Sequence, residues 1–186
     1  IVIVSASSKT SLGLAHGLRE LNEVPTIVGL TSERNRKFVW GTDVYDHAAS
    51  YETITTSLER RSSLVVDMAG SNAILDSLRK RLGEDFLYRI GVGLTHWDNR
   101  KRADNTVRHL EKSENFFAPG YVLDRSKQMS PGQFDEQSSS FVTRIAEKMF
   151  EWMWIEEPVG LSGLTSIYPA FCQGEVLPGK AYIIRM

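Results

Sequence analysis

Two short stretches carry residue types that could do chemistry. Ser7-Ser8-Lys9-Thr10-Ser11-Leu12-Gly13 is a run of small hydroxyl residues with one lysine, closing on a glycine. Serine hydroxyls, the backbone amides of Lys9 to Leu12 and the lysine charge are the donors a phosphate oxygen needs. Gly13 stands where close packing of a helix on a strand calls for a glycine. The second stretch is Thr31-Ser32, followed by Arg34 and Asn35. A hydroxyl, a guanidinium and an amide suit a 2′-phosphate, because arginine grips phosphate in a bidentate, charge-assisted way. Domains that prefer NAD place an acid at the tip of the second strand. Here the tip is Gly29-Leu30-Thr31-Ser32, the acid is delayed to Glu33, and Arg36 and Lys37 add positive charge. The pattern points to NADP(H) rather than NAD.

Of the four histidines, His96 follows a strand-like run and is the one weak catalytic candidate. With an ordinary pKa of about 6.5 it could serve as a proton donor. A hydrogen-bonded structural role beside Trp97 and Asp98 is the alternative. His16 and His47 are expected at the surface, and His109 lies in a polar, basic stretch. His96 and Asp98 lack further partners at ligand spacing, so no metal site is expected. Ser8-Lys9-Thr10 mimics the end of a P-loop, but Ile3 occupies the place of its leading glycine. Ser5 or Ser7 with His96 and Asp67 has the residue types of a hydrolase triad without the Gly-x-Ser-x-Gly elbow. The lone Cys172 rules out an internal disulfide and a zinc site built on several cysteines. It is expected as a small buried hydrophobe, and it fits a reducing, cytoplasmic setting.

These residues need elements to position them, and the apolar pattern supplies candidates. Ile1 to Val4 is a β-branched run, and Leu12, Leu14, Ala15, Leu18 and Leu21 follow at helical spacing. Strand, small-residue loop and helix form the unit that sets a helix N-terminus against a phosphate. Thr26 to Leu30, Val44 to Ser50, Ser63 to Met68 and Leu87 to Leu94 read as further strands. Ser32 to Trp40, Ile54 to Arg60 and Asn72 to Leu82, closed by Gly83, read as helices or helical turns. The alternation predicts right-handed βαβ units: an α/β, three-layer, doubly wound parallel sheet of Rossmann type with about six strands. Ala69, Gly70, Gly93, Leu94 and Thr95 then fall at strand ends, along the expected cofactor. Tyr45 and Tyr51 are expected to pack under the sheet. Asn99 to Lys112 reads as an exposed loop or a mobile helix. Phe116 to Tyr121 reads as an aromatic stretch with a turn, and Ser126 to Gln137 as a surface loop. Ser139 to Trp154 is the longest helix pattern, Leu161 to Phe171 another helix, and Ala181 to Met186 a last strand.

Taken together, Ser5-Ala6-Ser7-Ser8-Lys9-Thr10, Gly29-Leu30-Thr31-Ser32, Tyr45-Asp46, Asp67-Met68-Ala69-Gly70 and Val92-Gly93-Leu94-Thr95-His96-Trp97 resemble the DUF2855 family of bacterial and fungal proteins. Phe117-Ala118-Pro119 and the Gly174 to Met186 tail extend the match over nearly the whole chain. More widely, the chain is similar to the nucleotide-binding half of medium-chain dehydrogenases/reductases of the quinone-oxidoreductase type. That resemblance implies NADPH-dependent reduction and a flanking GroES-like substrate domain. The expectation is one dinucleotide-binding domain over 1–186, a fragment without an N-terminal GroES-like domain.

Charge and hydropathy narrow the partners. A net charge of −1 with both signs interspersed gives no case for nucleic acid or an anionic membrane. No apolar run reaches the roughly 18 residues of a spanning helix. The expected partner is a small-molecule substrate, with homodimer formation left open. Two readings stand: an NADPH-dependent oxidoreductase domain, and a non-catalytic nucleotide-binding or scaffold module that keeps the fold.

Overall fold

The computed structural model describes residues 1–92, 113–158 and 160–185. It divides into two compact units, Ile1–Ser138 and Ser139–Met186.

The first unit is built on a parallel sheet. Its strands are β1 (Val2–Val4), β2 (Val28–Thr31), β3 (His47–Ser50), β4 (Ser63–Asp67), β5 (Phe86–Gly91) and β6 (Ser113–Asn115). They lie in the order β3-β2-β1-β4-β5-β6. Val4 stands level with Leu30 on one side and Asp67 on the other. The chain order thus reverses between β1 and β4, and such a switch point opens a crevice at the carboxyl ends of the strands. The helices are α1 (Lys9–Arg19), α2 (Glu33–Gly41), α3 (Ile54–Ser57), α4 (Asn72–Leu82) and α5 (Ala118–Lys127).

β-Branched residues suit strands buried on both faces. Val2 and Val4 face a cluster with Val65, Leu30, Ile54, Leu75, Leu78 and Leu82, which brings α3 and α4 to that face. Ile3 points to the opposite face, where Leu12, Ala15 and Val39 are fully buried under α1 and α2. Right-handed crossovers on either side of the switch point put the helix pairs on opposite faces. The Rossmann-type, three-layer architecture and a parallel sheet of six strands are as the sequence predicts, except that the sixth strand is β6 and not the Ala181 to Met186 run, which pairs in a separate two-stranded sheet. So are the bounds of α4, whose end is set by Gly83 at φ 58°.

Several expectations are corrected. Pro119, Gly120 and Tyr121 lie inside α5, with the proline in its first turn, where its missing N–H costs nothing. Helix α5 runs to Lys127 and α6 (Gln133–Met149) starts at Gln133, so only the centre of 126–137 is a loop. The short strand β6, all of whose residues are exposed, carries no apolar signature and went unpredicted. His16 is buried, not at the surface. His47 is exposed as expected.

Helix α6 crosses the boundary between the units. The second unit then holds β7 (Trp154–Glu156), α7 (Gly160–Cys172) and β8 (Lys180–Tyr182). The two strands pair in parallel, Ile155 against Ala181, a small βαβ unit on its own. A Lys180–Glu156 ion pair crosses them. Trp154 therefore belongs to a strand and not to the preceding helix. Cys172 is exposed, against the expectation of burial.

Candidate functional site

The switch point is occupied by the loop between β1 and α1. Ser5 turns the chain there with φ 63°, a left-handed conformation that non-glycine residues adopt at a cost. Its N–H donates to the Tyr51 hydroxyl at 3.1 Å. Burial pushes the Tyr51 phenol up, and the nearby Asp67 charge adds to that. Ser8 is the N-cap of α1: its Oγ accepts from Ser11 N at 3.1 Å and donates to Ser11 Oγ at 2.8 Å. Ser11 is fully buried, and its hydroxyl donates to Met68 Sδ at 3.2 Å. Three serines thus organise the loop: Ser5 makes the turn, Ser8 the cap and Ser11 the buried contact to Met68 just beyond β4. Gly13 does not provide the sheet contact: a Cβ added there meets nothing within 4 Å.

The amides divide into two groups. Ser8 N bonds Ser5 O, Ser11 N bonds the cap, and Leu12 N bonds Ser8 O. Among the described residues, no group accepts from the N–H of Ser7 or of Thr10. The expectation that the run from Lys9 to Leu12 supplies phosphate donors therefore narrows: Ser11 and Leu12 are engaged, while Ser7 and Thr10 are open. Lys9 is exposed beside them, and partial desolvation lowers its ammonium pKa. A capped helix N-terminus with open amides and an adjacent ammonium fits a pyrophosphate.

The second strand brings its rim to the same place. Thr31 Oγ1 and Asn35 Nδ2 both donate to Ser7 Oγ, each at 3.2 Å. Two donors fill the acceptor capacity of that hydroxyl, so its own hydrogen must point elsewhere. Ser32 is the N-cap position of α2, without a side-chain capping bond. Arg34 is exposed on the first turn of that helix. Arg36 does not simply add charge: it pairs with Glu33 at 2.8 Å. The Arg36 and Ser50 bonds hold the Glu33 carboxyl below its usual pKa. Tyr45 packs against Gly29, where a Cβ would come within 2.9 Å of its ring, and its hydroxyl donates to Ala6 O at 2.8 Å. The tight glycine of this region is therefore Gly29.

At the end of β4 the pattern differs. Asp67 is fully buried, and its Oδ1 accepts from Ala69 N at 3.1 Å and Gly70 N at 2.9 Å. Both amides are therefore satisfied within the chain, and Gly70 is needed for its φ of 68°. Oδ2 binds Arg89 Nη2 at 2.7 Å and Nε at 3.2 Å. The sequence offers Asp67 in a hydrolase triad and in the Asp67-Met68-Ala69-Gly70 motif, but not as the partner of Arg89. The readable signal was an arginine inside an otherwise apolar strand, one strand away from an aspartate at a strand end. Gly93, Leu94, Thr95 and His96 lie outside the described residues. Among the described residues, no group of histidine, cysteine, aspartate and glutamate is arranged to hold a metal ion.

Comparison with known proteins follows the same lines. The family model described as protein of unknown function (DUF2855) matches residues 1–177. No curated protein matches the chain. Among solved structures, CurA from Vibrio vulnificus in complex with NADPH superposes with TM-score 0.65 at 11% identity, over 100% of this chain and 56% of that one. YhdH of E. coli K-12 with bound NADPH gives 0.59 at 13%, over 98% and 53%. YhfP of Bacillus subtilis with NAD bound gives 0.53 at 12%, over 100% and 54%. The chain spans about half the length of these structures. At such identities the likeness is one of fold.

Proposed function

This chain belongs to the DUF2855 family, and we propose that it is the NADP(H)-binding domain of an oxidoreductase of the medium-chain reductase type, acting on a small-molecule substrate. The carrying observation is the open N-terminus of α1 at the switch point, with Ser7 tied to Thr31 and Asn35 at the end of β2. The pyrophosphate would lie over Ser7 to Thr10, with Lys9 as counter-charge. The 2′-phosphate would lie at the rim of Thr31, Ser32, Arg34 and Asn35. Solved structures of this fold hold NADPH or NAD. The fold thus accepts either, and the choice falls to the rim residues. Bound there, the nicotinamide supplies hydride chemistry. The chain's part is to bind and orient it.

Hydride transfer needs the acceptor held about 3–3.5 Å from the nicotinamide. A substrate-binding domain of GroES-like type would complete that enclosure, consistent with a chain that spans about half of its structural relatives. Oxidoreductase turnover would then require this second domain, whereas cofactor binding would not.

Titration calorimetry with NADPH tests the reading. The chain is expected to bind NADPH, and Thr10→Glu is expected to lower the affinity at least a hundredfold. That substitution sets a carboxylate and added bulk where the phosphate would lie. A chain that fails to bind NADPH, or a folded Thr10→Glu variant that binds it unchanged, overturns the assignment.

A further inference from the structure

The carboxyl ends of β4, β5 and β6 hold a second constellation. Arg89 lies two residues before the end of β5, yet its guanidinium reaches the last residue of β4. It does so by lying over Gly91. A Cβ at Gly91 would come within 2.9 Å of Arg89 Nη2 and 3.2 Å of its Cζ. The same Cβ would meet Asn115 Oδ1 at 2.6 Å. Gly91 stands level with Asp67 on β4 and with Asn115 on β6. The guanidinium is thus held at the rim of the sheet, level with three strand ends.

Its two edges are used differently. Nε and Nη2 are engaged by Asp67 Oδ2. Asp67 in turn is saturated by the amides of Ala69 and Gly70. Among the described residues, Nη1 and the second hydrogen of Nη2 have no acceptor. The Asp67 side chain is 1% exposed and that of Arg89 17%, so the pair is buried on its carboxylate side and reachable on its guanidinium side. An arginine locked along one edge has lost its rotamer freedom in advance and presents a fixed donor pair. With Asp67 beside it the pair is neutral overall. It suits a neutral oxygen acceptor better than a phosphate.

We propose that Arg89 is a positioning residue for the nicotinamide-bearing half of the cofactor, its free guanidinium edge donating to an oxygen acceptor there. This rests on the NADP(H) reading above. If the adenosine end lies over β2 and the pyrophosphate at α1, the other nucleotide crosses the switch point to β4, β5 and β6. Asp67 and Gly91 then serve to aim the arginine, one by anchoring it and the other by leaving it room.

The test compares two ligands by calorimetry: NADPH, and adenosine 2′,5′-bisphosphate, which lacks the nicotinamide half. The variants are Arg89→Met and Arg89→Lys, with Gly91→Ala as a third that keeps both Arg89 and Asp67 and displaces the guanidinium. Arg89→Met and Gly91→Ala are expected to weaken NADPH about tenfold. Both should leave adenosine 2′,5′-bisphosphate within twofold, and Arg89→Lys should recover part of the loss. Equal weakening of both ligands would assign Arg89 a structural role and overturn the proposal. Unchanged NADPH affinity in a folded Gly91→Ala or Arg89→Met variant would overturn it as well. Failure of the unsubstituted chain to bind either ligand would instead overturn the NADP(H) reading itself. Should Arg89→Met not fold, Gly91→Ala carries the comparison.

Discussion

The loops after β1 and after β4 sit side by side at the switch point and are built from the same kind of small residues. After β1, Ser5 turns the chain, Ser8 caps α1 and Ser11 bonds Met68 just beyond β4, and among the described residues the Ser7 and Thr10 amides have no acceptor. After β4, the carboxylate of Asp67 takes both amides of its own loop, at Ala69 and Gly70. One loop organises itself through hydroxyls and keeps donors for a ligand. The other organises itself through a buried charge, which takes the Ala69 and Gly70 amides. The difference follows from the capping group. A serine Oγ accepts from one amide at a helix start, whereas a carboxylate has room for several donors. A phosphate-binding role is therefore physically open to the first loop, while the second is suited to holding Arg89.

The largest effect should come from the β4 side. Asp67→Ala leaves a largely buried guanidinium without its counter-charge, at a cost of about 3 kcal/mol in chemical denaturation. A loss below about 1 kcal/mol would show that the pair does not organise this loop. On the β1–β2 side the expected effect is on binding. Arg34→Ala should weaken NADPH by about 2 kcal/mol, roughly thirtyfold, and leave NADH nearly unchanged. Equal losses for both cofactors would remove Arg34 from the 2′-phosphate. Ser5→Val tests the strained turn: a β-branched residue at φ 63° should cost about 1–2 kcal/mol of stability. A neutral result would mean that the turn relaxes at little cost.

The smallest expected effect lies away from both loops. Asp46 accepts from Ile27 N at 2.7 Å and pairs with Arg19 at 2.9 Å. Partial burial raises its pKa, but the Ile27 amide and Arg19 outweigh this and hold it below the usual value. Its contribution is therefore present above the unfolded carboxylate pKa, about 4, and is lost as pH falls through the lower folded value. Asp46→Asn should cost less than about 1 kcal/mol near pH 7, because the site is partly exposed. The difference from the unsubstituted chain should vanish at acid pH. A difference that persists there would point to a cause other than charge.

What could be read from residue order was whatever depends on local periodicity. The β-branched runs, the Leu75–Leu78–Leu82 face of α4 and its stop at Gly83 each carry their signal within a few neighbouring positions. The alternation of such segments was enough for a parallel, doubly wound sheet, and the absence of an acid before Glu33 was enough to raise NADP(H). The register of the phosphate loop was not legible. Without glycines, only the folded chain shows that Ser5 makes the turn, Ser8 the cap and Ser11 the buried contact. Gly13 looked like the packing glycine because it was the one glycine in view, yet open space surrounds it. Strand β6 was missed because an exposed Ser-Glu-Asn edge has no apolar face to betray it. The Asp67–Arg89 pair and the slot at Gly91 belong entirely to tertiary structure. Twenty-two residues separate the charges, and only the pairing of β4 with β5 sets them on one rim. Local propensity follows from the chemistry of neighbours in the chain, but the meeting of distant polar groups depends on strand order and register, which only the folded sheet determines.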